Sequence, residues 1–129
     1  MRKLLNEELG RLEVEAFKKA PKIPLIIILD NVRSLNNVGS AFRTADAFRV
    51  EAIYLCGITA QPPHREIQKT ALGATASVDW KYFAATARAV DTLRADNYQI
   101  IAIEQADKSI ELQDFRLDAE KKYALVFGN

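Results

Sequence analysis

Five consecutive apolar residues, Leu25-Ile26-Ile27-Ile28-Leu29, run without a single polar alternation. A strand with one face in water alternates apolar and polar side chains, so an unbroken run demands cover on both faces. The demand recurs at Ala52-Ile53-Tyr54-Leu55-Cys56, at Gln99-Ile100-Ile101-Ala102-Ile103 and at Tyr123-Ala124-Leu125-Val126-Phe127. Between these runs the apolar spacing changes to that of helices. Val38, Ala41, Phe42, Ala45 and Phe48 form one stripe, and Ala89, Val90 and Leu93 form another inside a helix over 86–96. A short helix over 66–72 is closed by Gly73, and Val78-Asp79-Trp80 reads as a short edge strand. Asn6 as a cap, Glu7 and Glu8, and the spacing of Leu9, Leu12, Ala16 and Phe17 up to the Pro21 stop predict a helical lead-in over residues 1–22. Buried strands alternating with helices define the class: α/β, a parallel sheet with helices on both faces. No repeat or linker divides the chain, so residues 1–129 are read as a single domain.

The 129 residues suffice to bury a core, and 49% hydrophobic with 27% charged residues exclude a disordered or fibrous chain. No membrane association is expected: the run Leu25–Leu29 is far too short to span a bilayer, and Arg2-Lys3-Leu4-Leu5 passes at once into Asn6-Glu7-Glu8, unlike a signal peptide. The lone Cys56 reads as a small buried apolar residue in a reducing compartment, and the expected location is cytoplasmic. His64 is the only histidine, which excludes a histidine-cluster metal site; it reads as a loop residue, and no metal is expected. A net charge of +1 carries no nucleic-acid signature, so any such binding has to be argued from a site.

In a parallel sheet of this kind, ligands collect beyond the carboxyl ends of the strands. Those ends are Asp30–Asn37, Gly57–Arg65, Glu104–Lys108 and Gly128–Asn129. Neither Gly-x-Gly-x-x-Gly nor a P-loop follows the first strand, which disfavours an ordinary NAD or ATP site. Instead the strand delivers the polar loop Asp30-Asn31-Val32-Arg33-Ser34-Leu35-Asn36-Asn37 into a helix expected to start near Asn37 or Val38. Early N–H groups of such a helix lack helical partners and can receive a phosphate, with Asn37 as cap or as an amide for a ribose or phosphate. Helical side chains lean toward the N-terminus, so Arg43 is expected to lie over the bare Gly39 and reach toward the loop with a guanidinium suited to phosphate. A solvated Arg43 paired with Asp46 is an equally weighted reading. Arg33 is a candidate substrate contact. Arg65 and Lys69 read either as phosphate contacts or as solvated charges. Trp80, Tyr82 and Phe83 read as packing residues before base-stacking ones.

The stretch Asn37-Val38-Gly39-Ser40-Ala41-Phe42-Arg43-Thr44-Ala45-Asp46-Ala47 resembles the first signature motif of the SpoU/TrmH-type RNA methyltransferases of the SPOUT superfamily. Tyr54-Leu55-Cys56-Gly57-Ile58-Thr59, Lys69-Thr70-Ala71-Leu72-Gly73-Ala74 and Ala124-Leu125-Val126-Phe127-Gly128-Asn129 resemble three further family segments in the same order. The resemblance runs from about Pro24 to Asn129. It implies methyl transfer from S-adenosylmethionine to a ribose 2′-hydroxyl of tRNA or rRNA by a homodimer. Arg43 would help activate the hydroxyl and Asn37 would orient substrate or Arg43. Gly128, Asn129 and Thr59 would line the cofactor site, and Arg33, Asn36, Ser40, Arg65 and Lys69 would meet the RNA. The sequence departs from the pattern at its end: it stops before the Glu of the second motif and before the third motif. The expectation is therefore a SPOUT-type (α/β knot) domain that lacks its C-terminal knotted part and, by itself, neither binds cofactor tightly nor turns over. Two other readings stand beside this one: a non-catalytic RNA-binding or dimerisation module on the same fold, and a different α/β nucleotide-binding enzyme.

Overall fold

The computed structural model of the chain describes residues 14–103, 118 and 120–128. Among the described residues, five strands form one sheet: β1 Ile23–Asp30, β2 Val50–Cys56, β3 Trp80–Phe83, β4 Tyr98–Ile103 and β5 Lys122–Gly128. Their spatial order is β3-β2-β1-β5-β4, with every pairing parallel. The helices are α1 Val14–Lys19, α2 Leu35–Ala47, α3 Arg65–Ala71, α4 Ala74–Ser77 and α5 Thr86–Ala95. None is long and apolar enough to cross a membrane among the described residues.

The unbroken apolar runs are explained by cover on both faces. On one face Ile27, Leu29, Ile53 and Leu55 pack against Phe17 of α1, Val38, Phe42 and Ala45 of α2, Ile67 and Ala71 of α3 and Ala74 of α4. On the other, Ile26, Ile28, Ala52, Tyr54, Cys56 and Ala124 pack against Ala89 and Leu93 of α5. Successive side chains of a strand point to opposite faces, so β1 supplies alternate isoleucines to two separate cores. Burying a side chain of this size contributes about 1.5–3 kcal/mol, which makes β1 the axis of the fold.

The chain builds β1, β2 and β3 outward in one direction and then crosses to the opposite edge for β4, with β5 between β4 and β1. The winding therefore reverses between β1 and β5, and a crevice opens beyond the carboxyl ends of strands at such a point. In the register Asp30 lies between Cys56 of β2 and Gly128 of β5.

Several expectations need correction. Gln99–Ile103, expected as a core strand, belongs to the edge strand β4, and the short edge strand is Trp80–Phe83 rather than 78–80. Phe48 is not in the core: α2 ends at Ala47, and Phe48 is the C-cap, 67% exposed. Gly73 does not close α3. Leu72 takes the left-handed C-cap position (φ 49°), and Gly73 (φ 89°) opens α4, a helix the spacing did not suggest. The leading part of the predicted 1–22 helix and Glu104–Lys108 lie outside the described residues.

Candidate functional site

The carboxyl ends of β1, β2 and β3 are tied together by their own loop residues. Asn31 follows β1 in the left-handed region (φ 53°), a conformation its short polar side chain tolerates. Its backbone N–H donates to the Cys56 carbonyl at 3.2 Å, and its Oδ1 accepts from the Ile58 N–H at 2.9 Å. That side chain fits because residue 57 is a glycine: a Cβ there would come within 1.9 Å of Asn31 Oδ1, and φ is +65°. Gly57 is held in turn by its N–H on the Phe83 carbonyl (3.0 Å) and by the Tyr82 hydroxyl donating to its own carbonyl (2.7 Å). Thr59 is buried; its hydroxyl accepts from the Val32 N–H at 2.9 Å and donates to the Leu29 carbonyl at 3.1 Å.

This bracing surrounds an open depression of about 700 Å³ lined by Asp30, Asn31, Arg33, Ser34, Ile58 and Gly128. Arg33 is exposed at its wall, and Ile58 is 60% exposed. Asp30 Oδ1 accepts from the Thr86 hydroxyl at the start of α5 (2.5 Å) and from Asn31 Nδ2 (3.1 Å). Among the described residues, a Cβ on Gly128 would meet only the Asp30 carbonyl at 3.6 Å and Oδ2 at 3.7 Å, both ordinary contacts. No described residue forbids a side chain at Gly128, and the glycine leaves a stretch of backbone open to the depression.

Of the cofactor candidates, Gly128 lines the depression and Thr59 stands just beneath it with its hydroxyl committed to two backbone groups. Asn129 lies outside the described residues. Helix α2 starts at Leu35, two to three residues before the expected Asn37 or Val38, and Ser34 rather than Asn37 is its cap, accepting from the Asn37 N–H at 3.1 Å. Asn36 and Asn37 are therefore exposed first-turn residues, and Ser40 is exposed one turn further on. The Asn36 carbonyl accepts from the Thr70 hydroxyl at 3.1 Å.

The space over Gly39 does not serve Arg43. It is filled by α3: a Cβ on Gly39 would lie 1.8 Å from Thr70 Oγ1 and 2.5 Å from the Ile67 carbonyl oxygen. Gly39 is bare so that two helices can touch. Arg43 is half-buried, and its Nη1 is buried with no hydrogen-bond partner among the described residues. A buried guanidinium nitrogen left in that state is uncommon and points to a partner outside the described residues. Arg65 is exposed at the start of α3, where His64 Nδ1 caps the Glu66 N–H at 3.1 Å, and Lys69 pairs with Glu66 at 3.0 Å on the same exposed face. None of Asn36, Asn37, Ser40, Arg43, Arg65 or Lys69 lines the depression.

Asp30, Asn31, Ser34 and Ile58 are the lining residues that the sequence did not single out. Their position just past two strand ends was the available signal; Ile58 in particular looks there like any apolar loop residue. Cys56, under Asp30 in the register, is no nucleophile: burial first of all pushes its thiol up from 9.0 to about 11, against a smaller opposing effect of the Thr86 hydroxyl.

A doubly wound parallel sheet with a polar depression at its switch point defines an α/β ligand-binding domain. The chain belongs to the SpoU rRNA Methylase family, whose family model matches residues 24–129. It is 26% identical over 115 residues to the 23S rRNA (guanosine-2′-O-)-methyltransferase RlmB of Pseudomonas aeruginosa, covering 88% of this chain and 45% of the relative. Among solved structures it superposes on an rRNA methyltransferase from Sinorhizobium meliloti with a TM-score of 0.74 and 25% identity, over 88% of this chain and 43% of that one. The AdoMet-bound form of a Sinorhizobium meliloti rRNA methyltransferase matches with a TM-score of 0.71 and 25% identity, over 84% and 40%. The chain thus spans less than half the length of these relatives.

Proposed function

We propose that the intact protein transfers a methyl group from S-adenosylmethionine to a ribose 2′-hydroxyl of tRNA or rRNA. The observation that carries this reading is the convergence of Asp30, Arg33, Ser34 and Gly128 on one depression at the β1/β5 switch point, in a chain of the SpoU family. The residues present fit the cofactor in kind. Ile58 offers an exposed apolar side chain to a purine, Asp30 a carboxylate to hydroxyl or ammonium donors, and Gly128 a backbone free of side chain. S-adenosylmethionine, when bound, supplies an electrophilic methyl on a sulfonium.

The work left to the protein concerns the ribose oxygen, which must shed its proton as it gains the methyl. A ribose hydroxyl is a poor nucleophile near neutral pH, and a positive group beside the developing negative oxygen lowers that barrier. Arg43 is suited to this role, since its guanidinium brings donors without an acceptor of its own and its Nη1 is buried with no partner among the described residues. An RNA phosphate drawn to Arg33, Arg65 or Lys69 would take part in orienting the ribose, and Asn37, Asn36 and Ser40 present exposed polar groups along α2 toward the same substrate. Gly128, Asn129 and Thr59 belong in this reading to the cofactor side, Thr59 as the residue that holds the loop. The protein is expected to be cytoplasmic and to work as a homodimer.

The test is transfer of labelled methyl groups to tRNA and rRNA transcripts by the intact protein. Arg43→Ala should lower turnover by roughly a hundredfold or more while the thermal midpoint stays within a few degrees of wild type. Undiminished transfer by that variant would remove Arg43 from its role. Wild-type protein that binds RNA without methylating it would favour the binding-module reading instead. Light scattering should report a dimer, and a monomer at micromolar concentration would contradict that expectation.

A further inference from the structure

Among the described residues, the carboxylate of Asp30 is held by one oxygen only. Oδ1 accepts from the Thr86 hydroxyl at 2.5 Å and from Asn31 Nδ2 at 3.1 Å, while Oδ2 takes no hydrogen bond from the described residues. Thr86 opens α5 and Asn31 is pinned to the β2 loop through Ile58, so both anchors of Oδ1 are themselves fixed. Two fixed donors on one oxygen leave the carboxylate little rotational freedom and aim the other oxygen. Its direction is known from its neighbour: Oδ2 lies 3.7 Å from the point a Gly128 Cβ would occupy, and both residues line the depression. Asp30 is also the only acidic side chain among the six lining residues. A carboxylate in this place is unsuited to an RNA phosphate, which it would repel, and well suited to a ligand that brings hydrogen-bond donors.

We propose that Asp30 is a cofactor-binding residue, whose Oδ2, aimed by Thr86 and Asn31, accepts a hydrogen bond from a hydroxyl or ammonium group of the methyl donor beside Gly128. The proposal rests on the methyltransferase reading and adds to it the residue that reads the polar part of the cofactor. Thr86 is then a positioning residue that acts through Asp30. The cap residue of α5, Ala85, makes no side-chain capping hydrogen bond, and the Thr86 hydroxyl donates to Asp30 rather than to the helix.

The experiment is calorimetric titration of the intact protein with S-adenosylmethionine and with S-adenosylhomocysteine, which share the hydroxyls and the ammonium group. Asp30→Asn keeps the shape and an acceptor for Thr86 but removes the charge. It should weaken both ligands by about tenfold, the size of one lost charge-assisted hydrogen bond. Thr86→Val should weaken both severalfold by releasing Oδ1, and the double variant should bind no worse than Asp30→Asn alone, since the two changes act on one contact. Wild-type affinity in Asp30→Asn overturns the proposal, and so does a double variant whose losses simply multiply. Should Asp30→Asn fail to fold, undiminished binding by Thr86→Val overturns it alone. A wild-type protein that binds neither ligand would instead sink the methyltransferase reading itself.

Discussion

Thr59 shows how much of this site rests on single hydroxyls. One oxygen accepts from the Val32 N–H and donates to the Leu29 carbonyl, so it joins the loop after β2 to both sides of the turn after β1. Thr59→Val keeps the shape and strands two buried backbone groups, each worth roughly 1–3 kcal/mol when left unsatisfied. A loss of about 2–3 kcal/mol in urea unfolding is expected; a change below 0.5 kcal/mol would mean the turn holds itself by other contacts. The sequence marks Thr59 as a polar residue in the loop after β2, and the structure places it there. Whether a hydroxyl in such a loop points out to a ligand or in to the backbone depends on the neighbouring strand, which lies nearly 30 residues away. Arg43 is the reverse case. Its type and its six-residue spacing from Asn37 are legible, whereas the burial of Nη1 is set by whatever packs around α2.

At the scale of elements, α2 is the piece whose sequence and packing agree most closely. Val38, Phe42 and Ala45 are buried at helical spacing, as their pattern requires. Its limits were less legible, because Ser34 competes with Asn37 for the cap and both are good capping residues. Gly39 carries the contact with α3, which no local pattern announces. Gly39→Ala would gain about 1 kcal/mol of helix propensity, yet its methyl would meet Thr70 Oγ1 and the Ile67 carbonyl. Overpacking costs about 1–3 kcal/mol, so a net loss of about 1–2 kcal/mol is expected in a denaturation curve. Adding Thr70→Ala should restore only part of it, because the Ile67 carbonyl is backbone and cannot be trimmed. A variant more stable than wild type would show that α2 and α3 can move apart freely.

For the molecule as a whole, the two cores on either side of β1 determine how it responds to pH and to reagents. Cys56 sits fully buried in the α5-side core, with its thiol raised from 9.0 to about 11 by burial. The folded state therefore holds the Cys56 proton more tightly than the unfolded chain. Its share of stability is complete below pH 9 and is lost as pH rises through about 11, with a slope of at most about 1.4 kcal/mol per pH unit. Stability measured from pH 8 to 11.5 should fall less steeply in Cys56→Ala than in wild type, and parallel curves would place the thiol in contact with water. Thiol reagents at pH 8 should label Cys56 at the rate of unfolding. Much of this architecture is determined by the sequence alone. The unbroken apolar runs of β1 and β2 require strands covered on both faces, the helical stripes of α2 and α5 supply the cover, and the motif around Arg43 identifies the family. The order of the strands, the edge position of β4 and the meeting of Asp30 with Gly128 and Thr86 were decided only by the tertiary structure. Periodicity reports which face of an element is buried, a property of neighbours in sequence. A site at a switch point is made by residues whose separation along the chain, 56 from Asp30 to Thr86, carries no local signal at all.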